Sequence, residues 1–457
     1  MINKNLLSFN LSFFLLLNIV PNISLSVQIP NKWFEYQKRN ILLDAGVGWE
    51  SITNFSPASF NSYRGSESQK DFRKKTSFEK NIFIQTNNFD VINSFISLRY
   101  KTHFFCHLSP SLNITNKINP APTLNPFFSK ENWDYSGFGY ENNWAILFLG
   151  TGNENWGSGN NIQLALSDKS RSYDYFLLGS DYGRVRVRYI HGFLENIDDN
   201  INRFINARGI EWTNKNSLLI GISEITIYSG ENRSLDFGYL NPISSHLEIE
   251  YNNRLNIYGN RNSNAVWQLH LDILLKNRLR ISCNYLYDEF VLDPDIEIGK
   301  EHGKAYSARI SYTAIASSNL LLTIYGKLIK VGTPTFRHGN GFNNFVSDNK
   351  PLGWYKGSDG RDLSLGINFY NRKNFLISIL SGYNESGIES IIYRNYEPYE
   401  DYQVGSFPSG EIKETLYLEC YLGYLINSNI HVMGGIERVK MKKHYDLNFN
   451  MRVQLSY

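Results

Sequence analysis

From His444 to Tyr457 the chain reads HYDLNFNMRVQLSY, and its side chains alternate between apolar and polar without a break. Tyr445, Leu447, Phe449, Met451, Val453, Leu455 and Tyr457 fall on one face of an extended strand, and His444, Asp446, Asn448, Asn450, Arg452, Gln454 and Ser456 on the other. A tilted strand of about 9–11 residues crosses a bilayer, whereas strands of soluble sheets are mostly about 5–6 residues long. A sandwich strand can alternate too, but it is usually shorter. The length points to a membrane-spanning stave.

Apolar residues at every second position before a terminal aromatic also resemble the signal read by the machinery that inserts outer-membrane barrels. Other segments repeat the pattern. Ala265, Trp267, Leu269, Leu271, Ile273 and Leu275 oppose Gln268, His270 and Asp272; Leu279, Ile281, Cys283, Tyr285 and Tyr287 oppose Arg280, Ser282, Asn284 and Asp288. Leu247, Ile249 and Tyr251 oppose His246, Glu248 and Glu250, which reads as a further strand. Charged residues on one face of long strands predict apolar-out, polar-in staves around a wet lumen. Some neighbours are joined by short signals (Asn277-Arg278, Ser318-Asn319) and others by long polar loops near 109–136, 332–360 and 385–411. That asymmetry fits short periplasmic turns and long extracellular loops. From Asn81 to Tyr457 the segments number about eighteen, even as single-chain bacterial barrels require. The expected fold is an all-β, transmembrane antiparallel β-barrel over residues 81–457. Residues 27–80 differ, with one strand-like run at Ile41–Trp49 and a basic stretch at Ser62–Lys80. They are read as a plug or periplasmic extension.

Composition agrees. Aromatic residues make up 15% of the chain while mean hydropathy is only −0.35. The apolar surface is thus carried largely by Tyr and Phe, which favour strands and membrane interfaces. The net charge of +3 gives no nucleic-acid footprint. At the start, Lys4, the apolar run Leu11–Val20 and Ser24-Leu25-Ser26 read as a secretory signal peptide over residues 1–26, cleaved before Val27. No later run of 18 apolar residues offers a spanning helix. Export to the outer membrane of a Gram-negative-type bacterium is the consistent destination. Cys106, Cys283 and Cys420 are sparse, odd in number and without C-x-x-C spacing, so they read as small apolar strand residues.

Two features carry candidate chemistry. In Gly183–Tyr189 (GRVRVRY), Arg184, Arg186 and Arg188 fall on one strand face, about 6.5–7 Å apart. Guanidinium forks grip carboxylates and phosphates, so a lumenal ladder suits an acidic polymer. The plainer reading is that lumenal carboxylates (Glu195, Glu211, Glu224, Glu248, Glu250) neutralise it. In Gly150–Gly159 (GTGNENWGSG), Trp156 offers an indole face to a sugar ring, or anchors a glycine-hinged turn at the membrane interface. No Lys-Ser/Thr follows, so this is not a phosphate loop. Asp293, Asp295 and Glu297 lack calcium-loop spacing. The nine histidines form no H-E-x-x-H, and no G-x-S-x-G appears. No catalytic residue, metal or cofactor is predicted.

Short motifs between residues 140 and 440 resemble the family of Wzi-type capsule assembly proteins. They are Trp156-Gly157-Ser158-Gly159 with the strand-like IQLALS at Ile162–Ser167, ARGIEW at Ala207–Trp212, LLIGISEITIYSG at Leu218–Gly230 and YLNPI at Tyr239–Ile243. NSNAVWQLHLD at Asn262–Asp272, YDEF at Tyr287–Phe290 and PLGWYKGSDGRDLSLGI at Pro351–Ile367 continue the series. Ser158 stands where that family often has Pro. The resemblance implies an eighteen-stranded outer-membrane lectin that binds capsular or exopolysaccharide, as a monomer and without catalysis. A porin-like channel for small anionic or sugar solutes is the alternative. A lipid-cleaving barrel lacks its Ser/His signature. If the C-terminal strand carries the insertion signal, deleting Leu455–Tyr457 abolishes insertion while export persists, as cell fractionation will show. Normal heat-modifiable protein in the outer membrane would contradict this.

Overall fold

The computed structural model describes residues 33–45, 81–87, 91–100, 103–108, 111–113, 136–142, 144–198, 200–251, 263–276, 278–288, 299–399, 405–427, 430–441 and 444–456. The alternating segments form one closed antiparallel sheet of nineteen pieces, two of which make a single interrupted stave, giving eighteen staves. They are β1 (Asn81–Asn87), β2 (Val91–Tyr100), β3 (Phe104–Leu108 with Ser111–Asn113), β4 (Ser136–Glu141), β5 (Ala145–Gly152) and β6 (Tyr173–Asp181). Next come β7 (Val185–Ile197), β8 (Ile201–Thr213), β9 (Leu218–Glu231), β10 (Ser263–Leu275), β11 (Leu279–Tyr287) and β12 (Lys304–Ala316). The last six are β13 (Leu321–Val331), β14 (Gly360–Tyr370), β15 (Phe375–Ser386), β16 (Lys413–Asn427), β17 (Ile430–Met441) and β18 (His444–Ser456). Each pairs with the next, and β18 returns to β1 with Ile84 opposite Leu455. Among the described residues no helix is long and apolar enough to cross a membrane.

On β10 the predicted faces are the observed ones, and on β18 the predicted outer face is the observed one. On β18, Tyr445, Leu447, Phe449 and Met451 are exposed on the outer wall. On β10, Leu269 and Leu275 are exposed while Gln268, His270 and Asp272 are buried inside. Cys106, Cys283 and Cys420 are free thiols on β3, β11 and β16. At the end opposite the long loops, the short turns after β8 and β14 share a device. Asn214 Oδ1 accepts from the amides of Asn216, Ser217 and Leu218, and Asn371 Oδ1 from Lys373, Asn374 and Phe375. The next residues, Lys215 and Arg372, take φ of 67° and 54°. An Asn side chain thus replaces a backbone partner that so tight a turn cannot supply.

The interior departs from a wet lumen. Three connections fold inward from the long-loop end: residues 153–172, 332–359 and 387–399. Ile162, Leu164, Ala165 and Leu166 join Phe336, Phe345, Leu352, Trp354 and Ile391 in an apolar core against inner-wall Ile190, Ile205, Ile225 and Val266. Helix α1 (Trp33–Asp44) fills the interior toward the short-turn end, with Ile41 against Leu321, Tyr370, Leu376, Tyr421 and Met433. Asp44 accepts from Arg309 at 3.0 and 2.6 Å, from Asn160 at 3.3 Å and from Asn368 at 3.3 Å. Arg280 donates to the carbonyl of Leu43 and lies 2.5 Å from Asp272. These inner-wall charges are met by protein, because a charge removed from water costs several kcal/mol unless paired.

Three strand expectations fail for related reasons. Ile41–Asp44 belongs to α1, and Gln37, Asn40, Ile41 and Asp44 are buried at helical spacing; residues 46–49 lie outside the described residues. Ile162–Ser167 is no stave, since it is buried on every side and makes only one isolated bridge, Leu166 with Trp156. His246–Tyr251 is a helix, and Glu248 is exposed on it rather than lumenal. The last two runs are six residues long, and runs so short look alike at period two whether or not a neighbour is there to pair with them. The signal peptide and Asp293, Asp295 and Glu297 also lie outside the described residues.

That last helix belongs to a flap on the outside of the barrel. Within residues 232–251, α2 (Phe237–Leu240) and α3 (His246–Tyr251) lie against the outer faces of β7–β10. Tyr189 Oη donates to the Tyr239 carbonyl at 2.8 Å, and Asn206 Nδ2 to the same oxygen at 2.9 Å. Glu224, outward-facing rather than lumenal, accepts from His246 N at 3.0 Å and Trp267 Nε1 at 3.0 Å. Arg208 Nε lies 3.1 Å from Glu224, its direct cross-strand partner. A lone Arg facing lipid costs about 2–4 kcal/mol at the midplane and less near the interface, so the flap and the mutual pairing account for charge on this wall. Inside, removing one partner of the Asp44–Arg309 pair strands the other. Asp44→Ala is expected to destabilise the barrel by about 3–5 kcal/mol in denaturant unfolding, and Asp44→Ala/Arg309→Met to recover much of it. Equal stability of wild type and Asp44→Ala would contradict the helix anchor.

Candidate functional site

Arg186 and Arg188 sit on the inner face of β7, as the alternation requires, whereas Arg184 lies exposed in the β6–β7 turn. Arg186 Nε is 2.5 Å from Glu211, its direct cross-strand neighbour on β8. Arg188 Nε is 3.2 Å from Glu154, in the inward loop after β5. Glu154 is fully buried and also accepts from Trp156 Nε1 at 3.0 Å and Tyr175 Oη at 3.0 Å. It therefore ties two predicted site residues together, and the alternation could not single it out because it lies off any strand. Glu211 is the one predicted neutralising carboxylate that serves the ladder. Glu195 pairs with Arg203 instead, and Glu250's side chain lies outside the described set.

Trp156 is 0% exposed, so its indole presents no open face and is no interface anchor. It packs inside the wall where β8 has Gly209, whose Cβ would stand 3.2 Å from the indole. Gly157, at φ 120°, makes the turn that holds the indole there. Arg186, Arg188 and Trp156 thus form an internal brace, and Arg184 alone of the four is exposed. Arg188→Gln leaves Glu154 buried without its cation. The expected cost is about 3–5 kcal/mol of stability, with glycan retention by the inserted fraction unchanged. Lost retention at unchanged stability would reinstate the ladder as a binding site.

At the long-loop end the wall carries a different arrangement. Arg203, 0% exposed on β8, donates to the carbonyls of Phe342 at 2.5 Å, Asn344 at 2.7 Å and Val346 at 2.9 Å, and to Glu195. Tyr396 lies over its guanidinium at 5.1 Å and donates to Glu195 at 3.0 Å. Burial pushes the Tyr396 phenol up to about 12, so it stays a donor. Ser229 Oγ donates to Asn343 Oδ1 at 2.7 Å, which fixes the same loop to β9. These bonds hold Asn340 and Phe342 beside the β7–β8 turn and the end of β9. The result is a groove of about 460 Å³ lined by Asn200, Glu231, Asn232, Asn340 and Phe342. Amides and a carboxylate supply donors and acceptors in fixed directions, and a ring supplies a flat apolar surface. Sequence reading missed the groove because three connections distant in sequence build it. Among the described residues no three His, Cys, Asp or Glu side chains gather as a metal site.

No family model and no curated protein matches the sequence. Among solved structures, the chain is similar to Wzi of Escherichia coli, described as an outer membrane protein involved in group 1 capsule assembly and a carbohydrate-binding β-barrel. The TM-score is 0.67 at 12% identity, covering 95% of this chain and 99% of that one. A BenF-like porin from Pseudomonas fluorescens aligns at a TM-score of 0.45 and 9% identity, over 83% and 97% of the two chains. The likeness to Wzi shows the fold alone, that of an outer-membrane type β-barrel.

Proposed function

We propose that this barrel holds capsular or exopolysaccharide at the cell surface, as a monomer that catalyses no reaction and needs no cofactor. By the rule that long loops face outward, the groove beside Phe342 opens on the side where such polymers lie. The groove carries the reading. Sugar hydroxyls require both donors and acceptors, which Asn200, Asn232, Asn340 and Glu231 offer, while the C–H face of a pyranose packs on an aromatic ring. Its residues stand on a rigid base because Arg203 and Ser229 fix the 340–346 loop to the wall. The filled interior supports the binding surface. The whole-length likeness to a carbohydrate-binding barrel points the same way, although the groove is argued from this chain alone.

The test uses purified full-length protein and polysaccharide extracted from the same cells. Phe342→Ala is expected to weaken binding about tenfold, the equivalent of one lost ring contact. Asn232→Gly, which keeps the left-handed backbone that Asn232 takes at φ 49°, removes an exposed amide and weakens binding further without a large loss of stability. Equal binding by wild type and both variants would remove the groove as the site. No binding by the wild type would overturn the reading itself.

A further inference from the structure

The flap over β7–β10 encloses a second pocket, on the outside of the barrel, of about 620 Å³. Val187, Ile210, Ile222, Ile243 and Trp267 line it, with Arg208 and Glu224 at one side. Those two charges are turned toward partners within the protein. Arg208 faces Glu224, Asn206 and the Asn241 carbonyl, and Glu224 accepts from His246 and Trp267. What remains toward the pocket is mostly hydrocarbon, with Ser180 and Ser245 among the lining residues.

The pocket continues the wall that meets lipid. Ile210, Ile222 and Leu269 are exposed one step toward the short-turn end from the row Arg208, Glu224, Trp267. The flap itself carries apolar side chains outward: Ile243 is 88% and Phe237 75% exposed, and Leu235 and Leu247 are exposed too. A polar loop end would not be built this way. Apolar residues on short helices at the rim of a spanning wall lie in the interface, dipping toward the acyl chains. Since the long-loop end faces outward, the leaflet concerned is the outer one.

We propose that this pocket binds one acyl chain of an outer-leaflet lipid, clamped between the flap and β7–β10. The occupant follows from continuity with the lipid-facing wall and from a lining that is predominantly apolar. The site is separate from the polysaccharide groove and stands or falls without it.

Native mass spectrometry of the full-length barrel, loaded from dioleoylphosphatidylcholine vesicles and released from detergent, tests this. The wild type is expected to retain one lipid at collision energies that strip the surrounding annular lipid. Val187→Phe/Ile222→Phe fills the pocket and abolishes retention, whereas Ile220→Phe, on the same wall outside the pocket, retains the lipid. Should the filled variant fail to insert, Ile243→Ser decides, because that exposed residue bears little on folding; it weakens retention about tenfold. Release of all lipid from the wild type at annular energies would overturn the proposal. So would unchanged retention in Ile243→Ser or in an inserted filled variant.

Discussion

In hydrocarbon no backbone amide can turn to water, so a sheet that crosses a membrane must have no edge. The pairing of β1 with β18, Phe83 opposite Ser456 through Asn87 opposite Arg452, is what removes the edges here. Closure fixes the rest. Once every strand has two neighbours, side-chain alternation has only two destinations, lipid and interior. Each loop then either stays at an end, enters the interior, or folds down outside.

This chain uses all three. Its interior is occupied by α1 and the inward loops, and filling it changes the electrostatics. Arginines that would face water in an open channel are enclosed, and a guanidinium in such surroundings persists only beside a carboxylate or carbonyls. Arg186 with Glu211, Arg188 with Glu154, Arg280 with Asp272 and Arg309 with Asp44 are four instances of one rule. Arg203 is a fifth, and its three carbonyl contacts convert a buried charge into the support for a surface groove. On the outside the same rule explains the flap, which lets Arg208 and Glu224 occupy a wall that otherwise meets lipid.

What was legible in the sequence follows from this geometry. Long strands announce themselves, because thirteen residues of alternation, as in β18, have no competing explanation. The faces of β10 and the outward face of β18 were read correctly, and so was the short turn at Ser318-Asn319. Glu224 on β9 was read as lumenal and faces outward, and Asn277 lies outside the described residues. Short runs were not legible. Residues 246–251 alternate like a strand and form a helix, because Glu224 and Ser245 receive their first amides and the staves beside them already have both neighbours. Ile162–Leu166 fails likewise, its surroundings supplied by loops hundreds of residues away in sequence. The arginine row showed which face it occupied but not that Glu154 would arrive from an off-strand loop. Partnership across the lumen is a tertiary fact, and so is the groove that three connections build.

On the proposed function the barrel is a filled support that binds at its outer end, not a passage. Conductance of the purified full-length protein in a planar bilayer addresses that reading most directly. A filled interior predicts no stable open steps while heat-modifiability shows the protein to be inserted and folded. Steady, ion-selective steps from folded wild-type protein would contradict it.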